Sequence, residues 1–340
     1  MDAYSSGAGG VCDLAISRQD MSPLCGCQAK VPGDVLSAQL ARALGADREQ
    51  VDDCAVVEVG GQRLLTTLDF GPLVGTSVIR AGRIAGHHAM SDVYAMGGKP
   101  LVVTAIVAAS SKLHADAVGA VVAGLQQACL ESGVALVGGH TIEGDEPLAG
   151  LSVIGIPGPR VLTKKGARPG DVLMISKPLG TGLVTRAYQL GLLDEPELET
   201  AMTTMESSNQ TASRAAVANE VSALTDVTGF GLIGHCAEVV SQSEVGAILE
   251  LPQVPVLEAA AALPAVAGFT RFIDGNLDYA ESLIRLTGTV DRGVLAPLLD
   301  PQTSGGLLAS VAQEHVFAME LAGFTAIGLI TTSNVLEVRL

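Results

Sequence analysis

The sequence predicts an α/β protein with two domains, and three observations support this class. At 340 residues the chain is longer than a single core usually serves, since one hydrophobic core rarely extends beyond roughly 250–300 residues. Strand-like and helix-like segments alternate along most of its length, which is typical of α/β folds. Hydrophobic residues make up 48% of the chain and aromatic residues only 3%, so small aliphatic side chains suited to close-packed layers dominate the predicted core.

The charge of the chain excludes two classes of partner. Asp and Glu number 36 against 20 Lys and Arg, a formal net charge of −16, and such a surface repels nucleic acid and anionic lipid. The longest apolar stretch, 101–109, is shorter than the ~18 residues of a membrane-spanning helix. The first residues lack the basic and apolar parts of a secretion signal. With six sparse, scattered cysteines, these features predict a cytoplasmic protein with reduced thiols.

The first half is predicted to begin with an arm and to continue as alternating strands and helices. Residues 1–35 are rich in Gly, Ser, Cys and Pro and have no sustained periodicity, which predicts a mobile arm. Apolar positions at helical spacing predict a helix over 78–95, which ends before a Gly-Gly stop signal. Residues 138–147 are predicted as a loop. The other predicted elements are strands over 54–59, 63–68, 101–108, 134–137 and 151–156 and a helix over about 114–132.

The second half repeats the alternation beyond a linker at Pro157-Gly158-Pro159. A long helix is predicted over about 197–220. Strands are predicted over 171–176, 223–226 and 247–251, the first two each followed by a glycine-rich turn and a helix. The predicted organisation is therefore an arm over 1–35, an N-terminal domain over 36–157 and a C-terminal domain over 158–340.

Five aspartates lie at the ends of predicted elements, from which they can reach one shared cleft. They are Asp52, Asp53, Asp69, Asp92 and Asp226. Carboxylate oxygens are ligands that Mg²⁺ prefers, and a bound Mg²⁺ would allow this acidic chain to accept nucleotide phosphates. Each aspartate taken singly is better explained as a turn former or helix cap. The five together favour a site for Mg²⁺ and nucleotide.

Two glycine-rich segments bear on how a nucleotide would bind. Residues 97–100, GGKP, lack the upstream spacing and the Ser or Thr of a P-loop. Residues 229–234, GFGLIG, match GxGxxG after a short strand, and Glu250 lies where a ribose-binding acid would be expected. This keeps an NAD-binding protein as an alternative. The match is weak because the chain has 40 glycines, and because Thr225 and Asp226 interrupt the apolar strand.

Cys27 and Lys30 lie three residues apart in the predicted arm. A nearby ammonium lowers the pKa of a thiol, so this spacing suits a nucleophile beside an anionic substrate. A loop thiol and a solvated lysine are the structural alternative. His140 follows two glycines at a strand end and is a candidate for a phosphate-facing turn, whereas His88 and His235 are interpreted as packing residues.

Five segments together resemble the selenophosphate synthetase (selenide, water dikinase) family, and they occur in its order and spacing from about residue 27 to 335. They are GRIAGHHAMSDVYAMGGKP, LVGGHTIEGDEPLAGLSVIG, KPLGTG, LTDVTGFGLIGH and LDPQTSGGLL. The wider superfamily includes aminoimidazole ribonucleotide synthetase, thiamine monophosphate kinase and the hydrogenase-maturation dehydratase. The resemblance implies two α/β domains, with the N-terminal domains paired through a β-barrel in a homodimer. It also implies the conversion of selenide, ATP and water into selenophosphate, AMP and phosphate.

The resemblance carries metal and nucleotide roles onto matching positions. Asp53, Asp92 and Asp226 are implied to be Mg²⁺ ligands. The turn at 229–234 then becomes a helix entry beside a metal-binding aspartate. The residues implied to contact the nucleotide are Lys30, Asp52, Asp69, Asp92, Gly139, His140 and Thr141.

The resemblance also assigns catalysis to Cys27 and Lys30, with some departures from the family pattern. Many members have a second cysteine where this chain has Ala29, and Cys25 is a speculative substitute. An asparagine is frequent where this chain has His88. A second reading is another ATP-dependent enzyme of the same superfamily, which would leave Cys27 without a role.

Overall fold

The protein is described by a computed structural model that covers residues 14–18, 21, 52–110, 116–263, 270–288 and 292–340. Two β-sheets, one from each half of the chain, are packed with helices. This mixture confirms the predicted α/β class. Among the described residues, no helix is long and apolar enough to cross a membrane.

The first half forms a five-stranded sheet. Its strands are β1 (Ala55–Val59), β2 (Gln62–Pro72), β3 (Lys99–Ser110), β4 (Ala135–Gly144) and β5 (Leu148–Ile156). Their order in the sheet is β1-β2-β5-β3-β4. All neighbours are antiparallel except β3 and β4, which are parallel. A parallel pair requires a crossover, and the helix between them supplies it.

Two helices cover one face of this sheet, α1 (Val78–Ala95) and α2 (Ala117–Ser132). The Ser77 side chain caps α1 by accepting the amide hydrogen of Arg80 at 3.1 Å. The two helices cross at Gly124, where a Cβ would lie 2.0 Å from the carbonyl oxygen of Ile79. Only glycine therefore permits this close approach.

The second half forms a seven-stranded sheet with its own helices. Its strands are β6 (Val172–Ile175), β7 (Ala223–Asp226), β8 (Gly246–Glu250), β9 (Arg285–Thr287), β10 (Leu307–Val311), β11 (Thr325–Thr331) and β12 (Val335–Arg339). Its helices are α3 (Thr181–Gln189), α4 (Glu195–Glu206), α5 (Gln210–Ala218), α6 (Gly231–Gln242), α7 (Glu258–Ala261), α8 (Thr270–Leu283), α9 (Arg292–Leu299) and α10 (Val316–Leu321). The strand order is β7-β10-β6-β11-β8-β12-β9. Helix α1 contacts α4, α5 and β7, and so joins the two halves.

Two predicted elements differ from the structure. The predicted loop over 138–147 is wrong for its first part, because β4 continues to Gly144 by pairing in parallel with β3. The predicted helix over about 197–220 is two helices, since the chain turns at Ser207 into extended backbone. Asn209 holds this break by donating its side-chain amide to Ser91 Oγ and to the carbonyl of Gly305, each at 2.8 Å. Both differences arise from partners that are distant in sequence.

The face of the first sheet opposite to α1 and α2 is apolar and exposed. Side chains alternate along a strand, so Leu68 and Phe70 on β2 point away from the helices while Leu65 is fully buried beneath them. Ile154 and Ile156 on β5 are exposed in the same way. A contiguous apolar face of this kind usually marks an interaction surface.

Residues 14–18 lie across the two halves. The amide of Ile16 donates to the carbonyl of Thr76 at 2.8 Å. The Arg18 guanidinium lies 4.1 Å from the centre of the Tyr188 ring, and it donates to the carbonyl of Leu193 at 3.0 Å. This segment is thereby attached to both halves of the chain.

Candidate functional site

Four aspartates from the two halves converge where β2, α1 and β7 meet, and we call them the carboxylate cluster. Its members are Asp53, Asp69, Asp92 and Asp226. Each lies at or near the end of an element: before β1, towards the end of β2, in the last turn of α1 and at the last residue of β7. Their mutual approach is visible in their electrostatics, because the charges of Asp226, Asp69 and Asp53 all act on Asp92. The structure thus brings together four of the five aspartates that the sequence singled out.

Three neighbouring carboxylates repel the charge of Asp92. Its Oδ2 accepts a hydrogen bond from Thr67 Oγ1 at 2.5 Å. Burial, together with the repulsion from Asp226, Asp69 and Asp53, raises the pKa of Asp92 well above its usual value. A site that binds a cation would relieve this repulsion.

The two carboxylate oxygens of Asp53 differ in their contacts. Its Oδ1 accepts a hydrogen bond from Thr225 Oγ1 at 3.0 Å and lies 3.2 Å from the Lys164 ammonium. Burial raises the pKa of Asp53 to about 6, against the opposing effect of Lys164 and with a further contribution from Asp226. Its Oδ2 is buried and has no hydrogen-bond partner among the described residues.

Asp226 presents a second such oxygen. The residue is buried, and its Oδ2 also lacks a hydrogen-bond partner within the described part of the chain. Buried polar atoms are normally satisfied, so two carboxylate oxygens of this kind in one cluster are suited to bind a cation. Within the described ranges, no three His, Cys, Asp or Glu side chains are close enough to hold a metal ion by themselves. Mg²⁺ is usually bound by one or two carboxylates and completed by substrate phosphates and water, so the residues present fit Mg²⁺ bound together with a nucleotide.

Asp69 is linked to the second half through His88. The imidazole Nε2 of His88 lies 3.2 Å from Asp69 Oδ2. Its Nδ1 accepts the backbone N–H of Ser304 at 3.2 Å. His88 is therefore buried, as interpreted from the sequence, but it is hydrogen-bonded and not simply a packing residue.

Lys164 connects the cluster to a buried polar network on α6. Its ammonium lies 3.0 Å from Glu238 Oε2, as well as close to Asp53. Tyr279 donates its hydroxyl to Glu238 Oε1 at 2.7 Å, and His235 Nδ1 lies 3.1 Å from Glu238 Oε2. Although burial favours the neutral acid, Lys164 and His235 hold the pKa of Glu238 below its usual value. The sequence interpretation of His235 as a packing residue missed this network.

Lys177 is a second lysine that sequence reasoning missed. Its ammonium is buried and donates to the carbonyls of Ser207 and Ser304, at 2.6 and 2.8 Å. Burial lowers the pKa of Lys177 to about 7, and the negative charge of Asp226 opposes that change. The only signal in the sequence was its place in KPLGTG, directly after a strand.

Two of the predicted nucleotide contacts are not members of the carboxylate cluster. Asp52 accepts the backbone N–H of Lys164 at 2.9 Å and so fixes the segment between the halves. The segment Gly139-His140-Thr141 is not a turn but part of β4, where Gly139 pairs with Ala105. Ala105 in turn pairs with Leu151. Leu151 pairs with Asp69, so Gly139 and Asp69 lie about 14 Å apart, three strand spacings.

The segment 229–234 is packed against protein. Gly231 has a φ of +67°, and a Cβ there would lie 2.8 Å from the carbonyl oxygen of Leu298. The Asn276 side chain donates to the carbonyl of Gly229 at 3.0 Å. These contacts account for the glycines by packing at the start of α6, which weakens the NAD-binding alternative. Cys25, Cys27 and Lys30 lie outside the described residues.

The chain matches two family models in succession. The description of the first is AIR synthase related protein, N-terminal domain, over residues 51–157. The second is AIR synthase related protein, C-terminal domain, over residues 168–340. Together they span most of the chain.

Curated relatives that cover nearly the whole chain are named selenide, water dikinase. The protein of Clostridioides difficile is 36% identical over 319 residues, which is 89% of this chain and 91% of that protein. The protein of Myxococcus xanthus is 34% identical over 325 residues, which is 90% of this chain and 92% of that protein.

Solved structures with the same fold are more distant in sequence. A chain of the HypE–HypF complex is 18% identical, with a TM-score of 0.67 over 90% of this chain and 96% of that chain. Thiamine-monophosphate kinase from Stenotrophomonas maltophilia is 20% identical, with a TM-score of 0.64 over 91% of this chain and 96% of that chain. These likenesses, with the two family models, confirm the predicted two-domain fold of the aminoimidazole ribonucleotide synthetase type.

Proposed function

Because this chain belongs to the selenide, water dikinase family, as its motifs predicted, we propose that it converts selenide, ATP and water into selenophosphate, AMP and phosphate. The observation that carries the proposal on the structural side is the carboxylate cluster. Acids from both halves of the chain meet there, and Asp53 and Asp226 each present a buried oxygen that no described residue hydrogen-bonds. A triphosphate bound with divalent cations would satisfy those oxygens.

We assign Asp53, Asp92 and Asp226 as the residues that would hold Mg²⁺ together with nucleotide phosphates and water, and Asp52 and Asp69 as further contacts to nucleotide or metal. Mg²⁺ supplies neutralisation of phosphate charge when it is bound. The protein supplies preorganised carboxylates whose repulsion is already present before the ligand arrives. Thr225 Oγ1 and Lys164 occupy Oδ1 of Asp53, and this leaves its second oxygen for the ligand.

Cys27 and Lys30 are assigned from the sequence alone. A thiolate at Cys27 would hold or deliver selenium, a soft atom that suits sulfur better than oxygen. Lys30 would neutralise phosphate oxygens, because phosphoryl transfer depends mainly on positioning and charge stabilisation. The cytoplasmic location stays a prediction.

We further propose that the protein is a homodimer paired through the apolar face of the first sheet. Leu68, Phe70, Ile154 and Ile156 leave that face exposed in a single chain, and a second copy with the same face would cover it. The Gly139–Thr141 segment lies three strands from Asp69 of its own chain. If two sheets pair in this way, the segment would contact a nucleotide bound at the carboxylate cluster of the second copy.

The proposed activity is tested by incubating the protein with ATP, Mg²⁺ and selenide and following the products by ³¹P NMR. We expect selenophosphate, AMP and phosphate to appear together and only when selenide is present. ATP turnover that does not depend on selenide would contradict the proposal and favour another ATP-dependent enzyme of the superfamily.

The role of Cys27 is tested by Cys27→Ser, with Cys25→Ser as a matched control two residues away. We expect Cys27→Ser to abolish selenophosphate formation and to leave binding of Mg²⁺–ATP within about twofold of wild type, since a serine hydroxyl is a far weaker nucleophile than a thiolate. Cys25→Ser is expected to retain synthesis. Synthesis by Cys27→Ser would remove Cys27 from the mechanism.

A further inference from the structure

His88 lies at the point where the carboxylate cluster meets the second half of the chain. It shares a face of α1 with Asp92, four residues on. Its side chain is 10% exposed and that of Asp69 is 13% exposed. On its other side is Ser304, which belongs to the loop before β10 and is buried. One imidazole ring therefore contacts both a cluster carboxylate and a loop more than two hundred residues away.

The contacts of His88 fix its tautomer. A backbone N–H can only donate, so Nδ1 must accept from Ser304 and cannot carry a proton. The ring proton is then on Nε2, which faces Asp69 Oδ2 at 3.2 Å. The imidazole thus presents its N–H to the carboxylate at 3.2 Å on one side because it accepts from the backbone on the other. This is the arrangement by which a second residue orients a ligand carboxylate.

The loop that supplies this N–H is held in place by side chains from several elements. Ser304 has a φ of +49°, an unfavourable backbone region for a residue other than glycine. Its carbonyl accepts from Lys177 Nζ at 2.8 Å, and the carbonyl of Gly305 accepts from Asn209 Nδ2 at 2.8 Å. Strain of this kind persists only where the surroundings over-determine the backbone. The Ser304 N–H is consequently a fixed donor.

We infer that His88 is a positioning residue. The Ser304 loop of the second half holds its imidazole, and the imidazole orients the Asp69 carboxylate towards the metal–nucleotide ligand. The inference rests on the proposed function, because it takes Asp69 as a contact to nucleotide or metal. Ligand binding then also depends on how the two halves are placed relative to each other, because the N–H group that orients the imidazole belongs to the second half. The essential property of residue 88 is then a side chain with one acceptor and one donor.

Three substitutions separate this role from simple packing. His88→Asn keeps a donor and an acceptor on a shorter side chain, and His88→Leu has neither. His87→Leu is the matched control, because His87 is the adjacent buried histidine of α1 and bonds Glu131, at 2.8 Å, outside the cluster. Binding of Mg²⁺–ADP, measured by calorimetry, is the readout and needs no turnover. We expect His88→Leu to weaken binding by about tenfold or more, the usual range for a residue that orients a ligand, and the other two to remain within about threefold.

The outcomes of this titration are distinct. Equal weakening by His88→Leu and His87→Leu would show a packing role and overturn the inference. Failure of His88→Asn to bind better than His88→Leu would overturn it as well. If the wild type binds Mg²⁺–ADP but makes no selenophosphate, the proposed reaction fails while the positioning role is still measured.

A spectroscopic test on the wild type covers the case in which His88→Leu does not fold. In protein labelled with ¹⁵N at histidine, the resonances of residue 88 are assigned by their loss in His88→Asn. We expect the neutral ring with its proton on Nε2. A ring protonated at Nδ1 could not accept from Ser304, and would overturn the inference.

Discussion

Charged side chains of the two halves meet in two places, and these places differ in how far positive groups balance the carboxylates. In the ion network of α1, α2 and α4, guanidinium groups pair with the carboxylates. Its members are Arg80, Arg83, Glu131, Glu199 and Glu206. Arg80 donates to Glu206 at 2.7 Å and to Glu199 at 2.6 Å. In the carboxylate cluster, by contrast, four acids converge, and among the described lysines and arginines Lys164 is the one that contacts a member, Asp53.

The difference separates what stabilises the domain junction from what serves a ligand. Salt bridges raise the pKa of Arg80 above its usual value, because Glu206 and Glu199 both favour its charged form. In the cluster the pKa values of Asp92 and Asp53 are raised, which means that the ionised forms are disfavoured in the folded protein. Unbalanced buried charge is a cost that proteins usually bear at functional sites. Three changes test whether this contrast is real.

The largest expected effect comes from Asp226→Asn. On the proposed assignment, the amide removes a negatively charged oxygen from the ligand site, and we expect a fall in selenide-dependent turnover on the order of 100-fold. Because repulsion with Asp92 and Asp53 is also removed, the free energy of unfolding should rise, by about 1 kcal/mol. Turnover is followed by ³¹P NMR and stability by chemical denaturation. The exposed Asp194→Asn serves as the control, and a variant with lower stability and normal Mg²⁺–ATP binding would contradict the assignment.

The next effect is a dependence of stability on pH that originates in Asp300. Burial raises the pKa of Asp300 to about 7, from an ordinary value of 3.8, although the amide of Leu183 and the side chain of Gln302 donate to its carboxylate. The folded state therefore keeps a proton that the unfolded state loses. Its contribution to stability is full below pH 3.8 and is lost as the pH rises through about 7.

The measurement is the difference in unfolding free energy between wild type and Asp300→Asn across this range. We expect the wild type to lose roughly 3 kcal/mol relative to the variant between pH 4 and pH 7. The result would give the free-energy cost of burying an acid among neutral hydrogen-bond donors. A constant difference across the range would mean that Asp300 is ionised in the folded protein.

The smallest effect is expected from Arg80→Met in the ion network. The change leaves Glu206, whose side chain is 10% exposed, with the more distant Arg83 at 3.6 Å as its remaining partner among the described cations. Unfolding should become easier by about 1–2 kcal/mol, between the values for exposed and buried pairs, while turnover stays within about threefold. Arg63→Met, on the exposed end of β2, is the control and should change stability by less than about 0.5 kcal/mol. A fall in turnover well beyond threefold, in a variant that is still folded, would show that the network also serves the site.

Much of the framework followed from local patterns. The helix predicted over 78–95 has these bounds in the structure, because its apolar spacing and the Gly-Gly stop are signals carried by neighbouring residues. The positions of Asp92 and Asp226 at element ends followed in the same way, since an element end is a local property. Strand β2, by contrast, continues past Asp69 to Pro72. The family and its proposed chemistry were also available from the motifs. The metal and nucleotide roles, the homodimer and its barrel, and the domain boundaries remain predictions.

The tertiary structure alone decided which groups these residues meet. Nothing near His88 in the sequence indicated that its ring would lie between Asp69 and Ser304. Likewise, nothing near Lys164 indicated a partner on α6, and β4 is extended past the predicted loop by its pairing with β3. The physical reason is that spacing along the chain determines local conformation and the face a side chain occupies. Whether a buried charge is balanced depends on atoms that folding brings together from distant segments.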